Sequence, residues 1–458
     1  MTRSFQELAH PNDIDLIFGK TKHPLTTAKG LVIGGGTVYP ELNFTLPPIK
    51  ICDENFAQIK DMYKNIIIDA CRRAMELQVP GLCIEFETLI EMTLVPNYAI
   101  DLTGIIAEQL DHFFNHHQLP STLRITPNDT RDKTRPPRMR DGELVDSMFE
   151  TFTGCAKNGA ELLSIESTGG KEIHDDALLM CDLESVIFSL AVLGVRDMAF
   201  LWNRISAIAR ETGTIAAGDT ACGFGNTAMV LAEKKFIPRV FSALVRAATI
   251  PRSLVAYEQG AVGPGKDCGY ENPFLKAITG FPMSMEGKSA ACAHASPLGN
   301  ISSAFCDLWS NESVQNIKLL GGMAPTVFLE SLAYDCRLMN QASNGKALML
   351  RDLMVESDAP LDPQAFILSP QNVLAISESL VEAEGHYAQT VSSVKTALAL
   401  IHQAHVEGEL KVSENEIGWF DNYFSVLDKM PSSEDQFIDL IMAKVDHSKF
   451  NANDYDLK

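Results

Sequence analysis

Residues 55–86, NFAQIKDMYKNIIIDACRRAMELQVPGLCIEF, set the fold class. Phe56, Ile59, Met62, Ile66, Ile67, Ala70, Ala74 and Leu77 recur at helical spacing, so the segment up to Gln78 reads as an amphipathic helix. Pro80-Gly81 stops it. Leu82-Cys83-Ile84-Glu85-Phe86 then reads as a short buried strand.

The same unit recurs along the chain. A helix over 97–117 precedes a strand over 122–126, and a helix over 142–158 precedes a strand over 162–166. Helices over 172–193 and 197–212 precede a strand over 214–217; helices over 226–235 and 238–249 precede one over 253–257. A helix over 270–280 precedes 283–286. Such alternation implies βαβ units and a parallel sheet. Strands about 35 to 40 residues apart, with no G-x-G-x-x-G, favour an α/β fold of the (β/α)8 TIM-type barrel class over a dinucleotide-binding sheet. The barrel is expected over 51–342. Residues 1–50, punctuated by Gly34-Gly35-Gly36, Pro40, Pro47 and Pro48, read as an irregular N-terminal arm. From 343 to 458 the chain reads as an appended C-terminal helical region.

Composition narrows the function. The chain has 458 residues, 46% apolar and 21% charged, as globular proteins do. With 38 basic and 59 acidic residues the net charge is −21, which argues against nucleic acid as a main partner. None of the ten cysteines forms a C-x-x-C, so zinc ribbons and thioredoxin-like pairs are excluded. The N-terminus shows no apolar leader core, and the apolar run 186–195 is broken by Ser189 and Gly194. A cytoplasmic protein with reduced thiols is the expectation.

A barrel of this kind works at the C-terminal ends of its strands. That rule selects Glu166 after the strand 162–166, Cys222 in the run Gly218-Asp219-Thr220-Ala221-Cys222, and Cys268 at the end of EQGAVGPGKDC (258–268). Two thiolates and a carboxylate would suit a catalytic zinc, which keeps three protein ligands and one open position. Each has a plainer reading: a buried cysteine is commonly an inert small hydrophobe, and Glu166 could simply pair with Lys171.

Several long runs also carry a resemblance. IESTGGKE (165–172), TIAAGDTAC (214–222), PRSLVAYEQGAVGPGKDCGYEN (251–272), AITGFPMSMEGK (277–288), WSNES (309–313) and LAYDC (332–336) resemble the zinc-bearing methanol:corrinoid methyltransferases. The likeness spans at least residues 140–360. It implies a barrel, a zinc ion on Glu166, Cys222 and Cys268, and methyl transfer from methanol to the Co(I) of a corrinoid. That corrinoid would sit on a separate corrinoid protein, since the chain has no D-x-H-x-x-G motif of its own. Gly223-Phe224-Gly225 and the polar loop 127–140 are the least familiar stretches. A homodimer is expected, with the arm and the appended helices as contacts for it or for the corrinoid protein. A barrel using another methyl donor, such as a methoxylated compound, and a non-catalytic scaffold are the rivals.

Hydroxide leaves carbon poorly, so methanol is expected to react as the neutral alcohol or to be protonated by a nearby acid as its oxygen departs. Asp219, Glu286 and Glu85, all at strand ends, are the candidates, and Asp219 could equally serve to fix loop geometry. His112 and His116 lack the glutamate of a zinc-binding helix and read as a solvated helix end. Gly263-Pro264-Gly265-Lys266 lacks Walker spacing and reads as a tight loop. Cys292 and His294 form a weaker metal pair, and Met283, Met285 and Cys306 read as core.

Overall fold

The computed structural model describes residues 3–44, 46, 49–286, 296–311 and 318–457. Cys292 and His294 lie outside the described residues. The chain enters through an antiparallel hairpin, β1 (Lys20–Thr26) and β2 (Val32–Gly35). It continues into the parallel strands β3 (Tyr39–Asn43), β4 (Leu82–Glu87), β5 (Ser121–Thr126), β6 (Leu162–Ile165), β7 (Ile215–Asp219), β8 (Ser284–Glu286) and β9 (Leu308–Asn311). Their order across the sheet is β7-β6-β5-β4-β3-β9-β8.

Residues 262–265 join the two edges. Val262 and Gly263 amides donate to the Ala216 and Ala217 carbonyls (2.9 Å each), Gly265 N donates to Pro282 O (3.1 Å), and Ser284 N to Gly265 O (3.2 Å). This run takes the place of the missing stave between β7 and β8, so the ring closes as the expected barrel. Gly263 is needed there: its φ is +78°, and a Cβ would stand 2.5 Å from the Pro282 carbonyl oxygen.

Three expectations change. The strand expected over 253–257 is the last part of the helix Arg239–Glu258. Every residue from Val240 to Tyr257 is buried, and a helix apolar on all sides has lost the periodicity that marks it. The real stave, rich in glycine and proline, reads as a turn. The arm is also ordered: β3 is a barrel strand, and Leu31 and Ile33 of the hairpin pack with Tyr39, Cys83, Leu162, Ala217 and Leu308 at the strand starts. The hairpin therefore plugs the barrel floor. Finally, the helix break lies at Cys181 (φ 51°) rather than near 195, and Leu183–Thr212 is one continuous helix. That helix is long and apolar enough to cross a membrane, yet 78% of its apolar window is buried in the protein, as a core helix is.

Strand alternation explains the rest. In β4, Leu82, Ile84 and Phe86 face the helices and join the main core, while Cys83 points inward, its thiol donating to Glu41 Oε1 at 3.1 Å. Glu41 also accepts from Arg124 Nε (2.7 Å) and from the Ser284 hydroxyl. Glu85 and Glu87 follow on the inward side of the same strand, toward the C-terminal mouth. The appended helices pack on the helix Arg239–Glu258, where Ser393 Oγ donates to Ala247 O (3.1 Å). The loop 127–140 is anchored rather than loose. Arg131, fully buried, pairs with Asp129 (2.8 Å) and Asp197 (2.7 Å), and Met139 N donates to Asp454 Oδ2 (2.8 Å).

Candidate metal and active site

Glu166 is the first residue beyond β6. After β7, Thr220-Ala221 turn the chain into a short helical coil, Cys222–Asn226, which runs on as the helix Thr227–Glu233. Cys268 lies just past the stave 262–265. These three routes end together: one oxygen of Glu166 and the sulfurs of Cys222 and Cys268 lie within 4.8 Å of one another. The Cys268 thiol donates to Glu166 Oε1 at 2.8 Å. Cys268 is buried, Cys222 is half-buried, and the Glu166 side chain is 32% exposed, so the cluster is open on the Glu166 side.

The electrostatics favour a cation among these atoms. Burial pushes the Cys268 thiol well above the ordinary thiol range, helped by the hydrogen bond to Cys222 and by the Cys222 and Glu166 charges. For Cys222, the hydrogen bond with Cys268 pulls downward, but burial and the Glu166 and Glu286 carboxylates leave it raised. The sulfurs thus hold their protons for want of positive charge. A divalent ion with a taste for sulfur would replace those protons, and two thiolates plus one carboxylate fit zinc.

Lys266 is the site residue the sequence hid. Its buried ammonium lies 2.5 Å from Asp267, 3.1 Å from Glu85, 3.5 Å from Glu166 and 3.9 Å from Glu87. Burial opposes its charge, yet Asp267, Cys268, Glu85 and Glu87 hold its pKa well above the usual value. Glu166 therefore faces Lys266, while Lys171 pairs with Asp175 at 2.7 Å. Glu87 is pushed up to about 7 by burial, against the pull of Lys266. The carboxylates of LCIEFE (82–87), unusual in a buried strand, were the available signal that a buried cation stands opposite.

The proton-donor candidates separate. Asp219 accepts from Ser167 N (3.2 Å), Ser167 Oγ (2.8 Å), Trp202 Nε1 (2.8 Å) and Thr220 N (2.7 Å). It ties the ends of β6 and β7, and burial pushes it up to about 6 against Arg252, Trp202 and Ser167. Glu85 is held by Thr126 Oγ1 (2.6 Å) and Lys266. Glu286, at the end of β8, is fully buried, accepts from Tyr270 OH at 3.2 Å, and acts electrostatically on Cys222. His112 and His116 sit exposed at a helix end, with His116 Nδ1 2.9 Å from His112 O. Met283, Met285 and Cys306 are core.

Comparison with known proteins agrees over the whole chain. The family model described as methanol-cobalamin methyltransferase B subunit matches residues 2–456. The methanol–corrinoid protein co-methyltransferase of Methanosarcina barkeri (strain Fusaro / DSM 804) is 36% identical over 447 residues, covering 96% of each chain. A chain of the crystal structure of the methanol:cobalamin methyltransferase complex MtaBC from Methanosarcina barkeri superimposes with a TM-score of 0.95 at 35% identity. The match covers 99% of this chain and 100% of that one.

Proposed function

The chain belongs to the methanol-cobalamin methyltransferase B subunit family, and on that premise we propose that it transfers the methyl group of methanol to the Co(I) corrinoid of a separate corrinoid protein. Glu166, Cys222 and Cys268 are the residues that hold zinc in this reading. The observation that carries it is their convergence within 4.8 Å on an open side of the barrel mouth.

A zinc ion held there would act as a Lewis acid that polarises the C–O bond of the alcohol. Three anionic ligands would leave a divalent ion with a charge of about −1, which would restrain deprotonation of the alcohol, a change that makes its oxygen a worse leaving group. Lys266, 3.5 Å from Glu166 and matched by Asp267 and Glu85, orients the Glu166 carboxylate. Glu286 is the group assigned to protonate the departing oxygen. It ends β8 and acts electrostatically on Cys222, whereas the oxygens of Asp219 are taken up by four donors.

Elemental analysis of the purified chain, paired with methyl transfer from methanol and from larger donors, tests the reading. About one zinc per chain and a preference for methanol are expected. Absence of stoichiometric metal would sink it. Sedimentation of the same sample tests the expected homodimer.

A further inference from the structure

The coil that carries Cys222 ends at Asn226, a buried residue whose side chain touches both cysteine-bearing loops. Asn226 Nδ2 donates to Cys222 Sγ at 3.4 Å and to the Cys268 carbonyl at 3.0 Å. Its orientation is fixed from behind. Arg246 Nη1 donates to Asn226 Oδ1 at 3.1 Å, and a guanidinium, having no acceptor, can meet only the oxygen of the amide. The NH2 group must then face the sulfur.

Arg246 is itself fully buried and held in place. Its Nη2 donates to Gly225 O (3.1 Å) and to Gln364 Oε1 (3.3 Å), and its guanidinium lies over the Tyr270 ring, 5.2 Å from the centroid. Gln364 belongs to the helix Pro363–Ile367 of the appended region. The unfamiliar Gly223-Phe224-Gly225 acquires a reason: a Cβ on Gly225 would stand 2.8 Å from Arg246 Nη1 and push the guanidinium off Asn226.

We propose that Asn226, oriented by Arg246 and Gln364, is a positioning residue for the metal centre. It sets the approach of the Cys222 and Cys268 loops and, by an N–H···S hydrogen bond, tempers the donor strength of the Cys222 thiolate. The inference rests on the reading of Glu166, Cys222 and Cys268 as ligands. It gives the appended helices a task at the site itself, because Gln364 is their reach into the chain of contacts that ends on sulfur.

The test uses the purified full-length chain with zinc and with Co(II) as a spectroscopic probe. Zinc affinity is read by competition with a chromophoric chelator, and the thiolate-to-cobalt charge-transfer band by absorbance. Asn226→Asp, nearly isosteric, keeps the oxygen for Arg246 and removes the donor; Asn226→Ala removes both. Loss of an outer-shell partner of this kind costs about 10–100-fold in metal affinity, and a loss in that range with a displaced band is expected for both variants. A folded Asn226→Asp protein with wild-type affinity and an unmoved band overturns the proposal, whatever its melting temperature. Should the wild-type chain take up neither zinc nor cobalt, the ligand reading fails and this inference falls with it.

Discussion

Lys266 Nζ stands 3.5 Å from Glu166 Oε1, and that ammonium is fully buried. Its nearest partners, Asp267 and Glu85, are buried with it. Breaking such a buried arrangement from one side leaves uncompensated charge and costs about 3–5 kcal/mol. Lys266→Met should therefore lower the unfolding free energy by that order in urea titration. Adding Glu85→Gln should recover part of the loss, because it removes one of the stranded carboxylates. A double variant no more stable than the single one would show that Glu85 is not a partner the ammonium serves.

Cys222→Ala, Cys268→Ala and Glu166→Gln each delete one of the three convergent ligand atoms. Each should reduce zinc retention by more than the roughly 10–100-fold typical of a supporting residue, with methyl transfer falling in step. Dialysis against a chelator followed by elemental analysis reads the effect. Full zinc content in either cysteine variant would remove that sulfur from the site.

The ligands were legible because each follows a strand, and the barrel rule turns strand ends into a site list. Glu166 follows β6 and Cys222 follows β7 with little in between. Cys268 was found by the right rule applied to the wrong strand: residues 253–257 are helical, and the true stave, 262–265, has the composition of a turn. Reading the helix as ending at 249 also left Arg252 outside it, whereas the helix Arg239–Glu258 continues and aims Arg252 at the loops beside the site. Arg252 Nη2 donates to Ser167 O at 2.8 Å. Lys266 was hidden because its partners meet it only in the fold: Glu85 and Glu87 come from β4 and Glu166 from the end of β6, beside its own neighbour Asp267. The hairpin over the barrel floor is likewise a tertiary fact: short strands with glycine turns do not announce what they cover.

Glu286 is fully buried at the end of β8, with Tyr270 OH donating to it at 3.2 Å. As the proton donor to the leaving oxygen it should contribute about 10²–10⁴-fold in rate. Glu286→Gln is expected to slow methyl transfer from methanol by that factor and to keep its zinc. Asp219→Asn should act through stability instead, since its role is to tie Ser167, Trp202 and Thr220 together. A zinc-loaded Glu286→Gln protein with the wild-type rate would remove Glu286 as the acid.

Asp362 gives the fold a pH dependence of its own, at the start of the helix that carries Gln364. It caps the helix Pro363–Ile367, with Gln364 N donating to Oδ1 at 2.7 Å, while the other oxygen is buried without a hydrogen bond and Arg239 stays 3.7 Å away. Burial pushes its carboxyl from 3.8 up to about 6, the Gln364 amide and Arg239 opposing. A carboxyl whose folded pKa is raised keeps its proton longer in the native state. The native state then binds more protons than the unfolded one between 3.8 and about 6, and stability falls as pH rises through that window. The shift corresponds to about 3 kcal/mol. Asn caps a helix about as well as Asp, so Asp362→Asn keeps the helix start and deletes the titration. The wild-type advantage over Asp362→Asn, or its deficit, should move against the wild type by up to about 3 kcal/mol on going from acid to neutral pH. Urea unfolding of both proteins at a series of pH values reads it, and parallel stability curves would show that folding does not raise the Asp362 carboxyl.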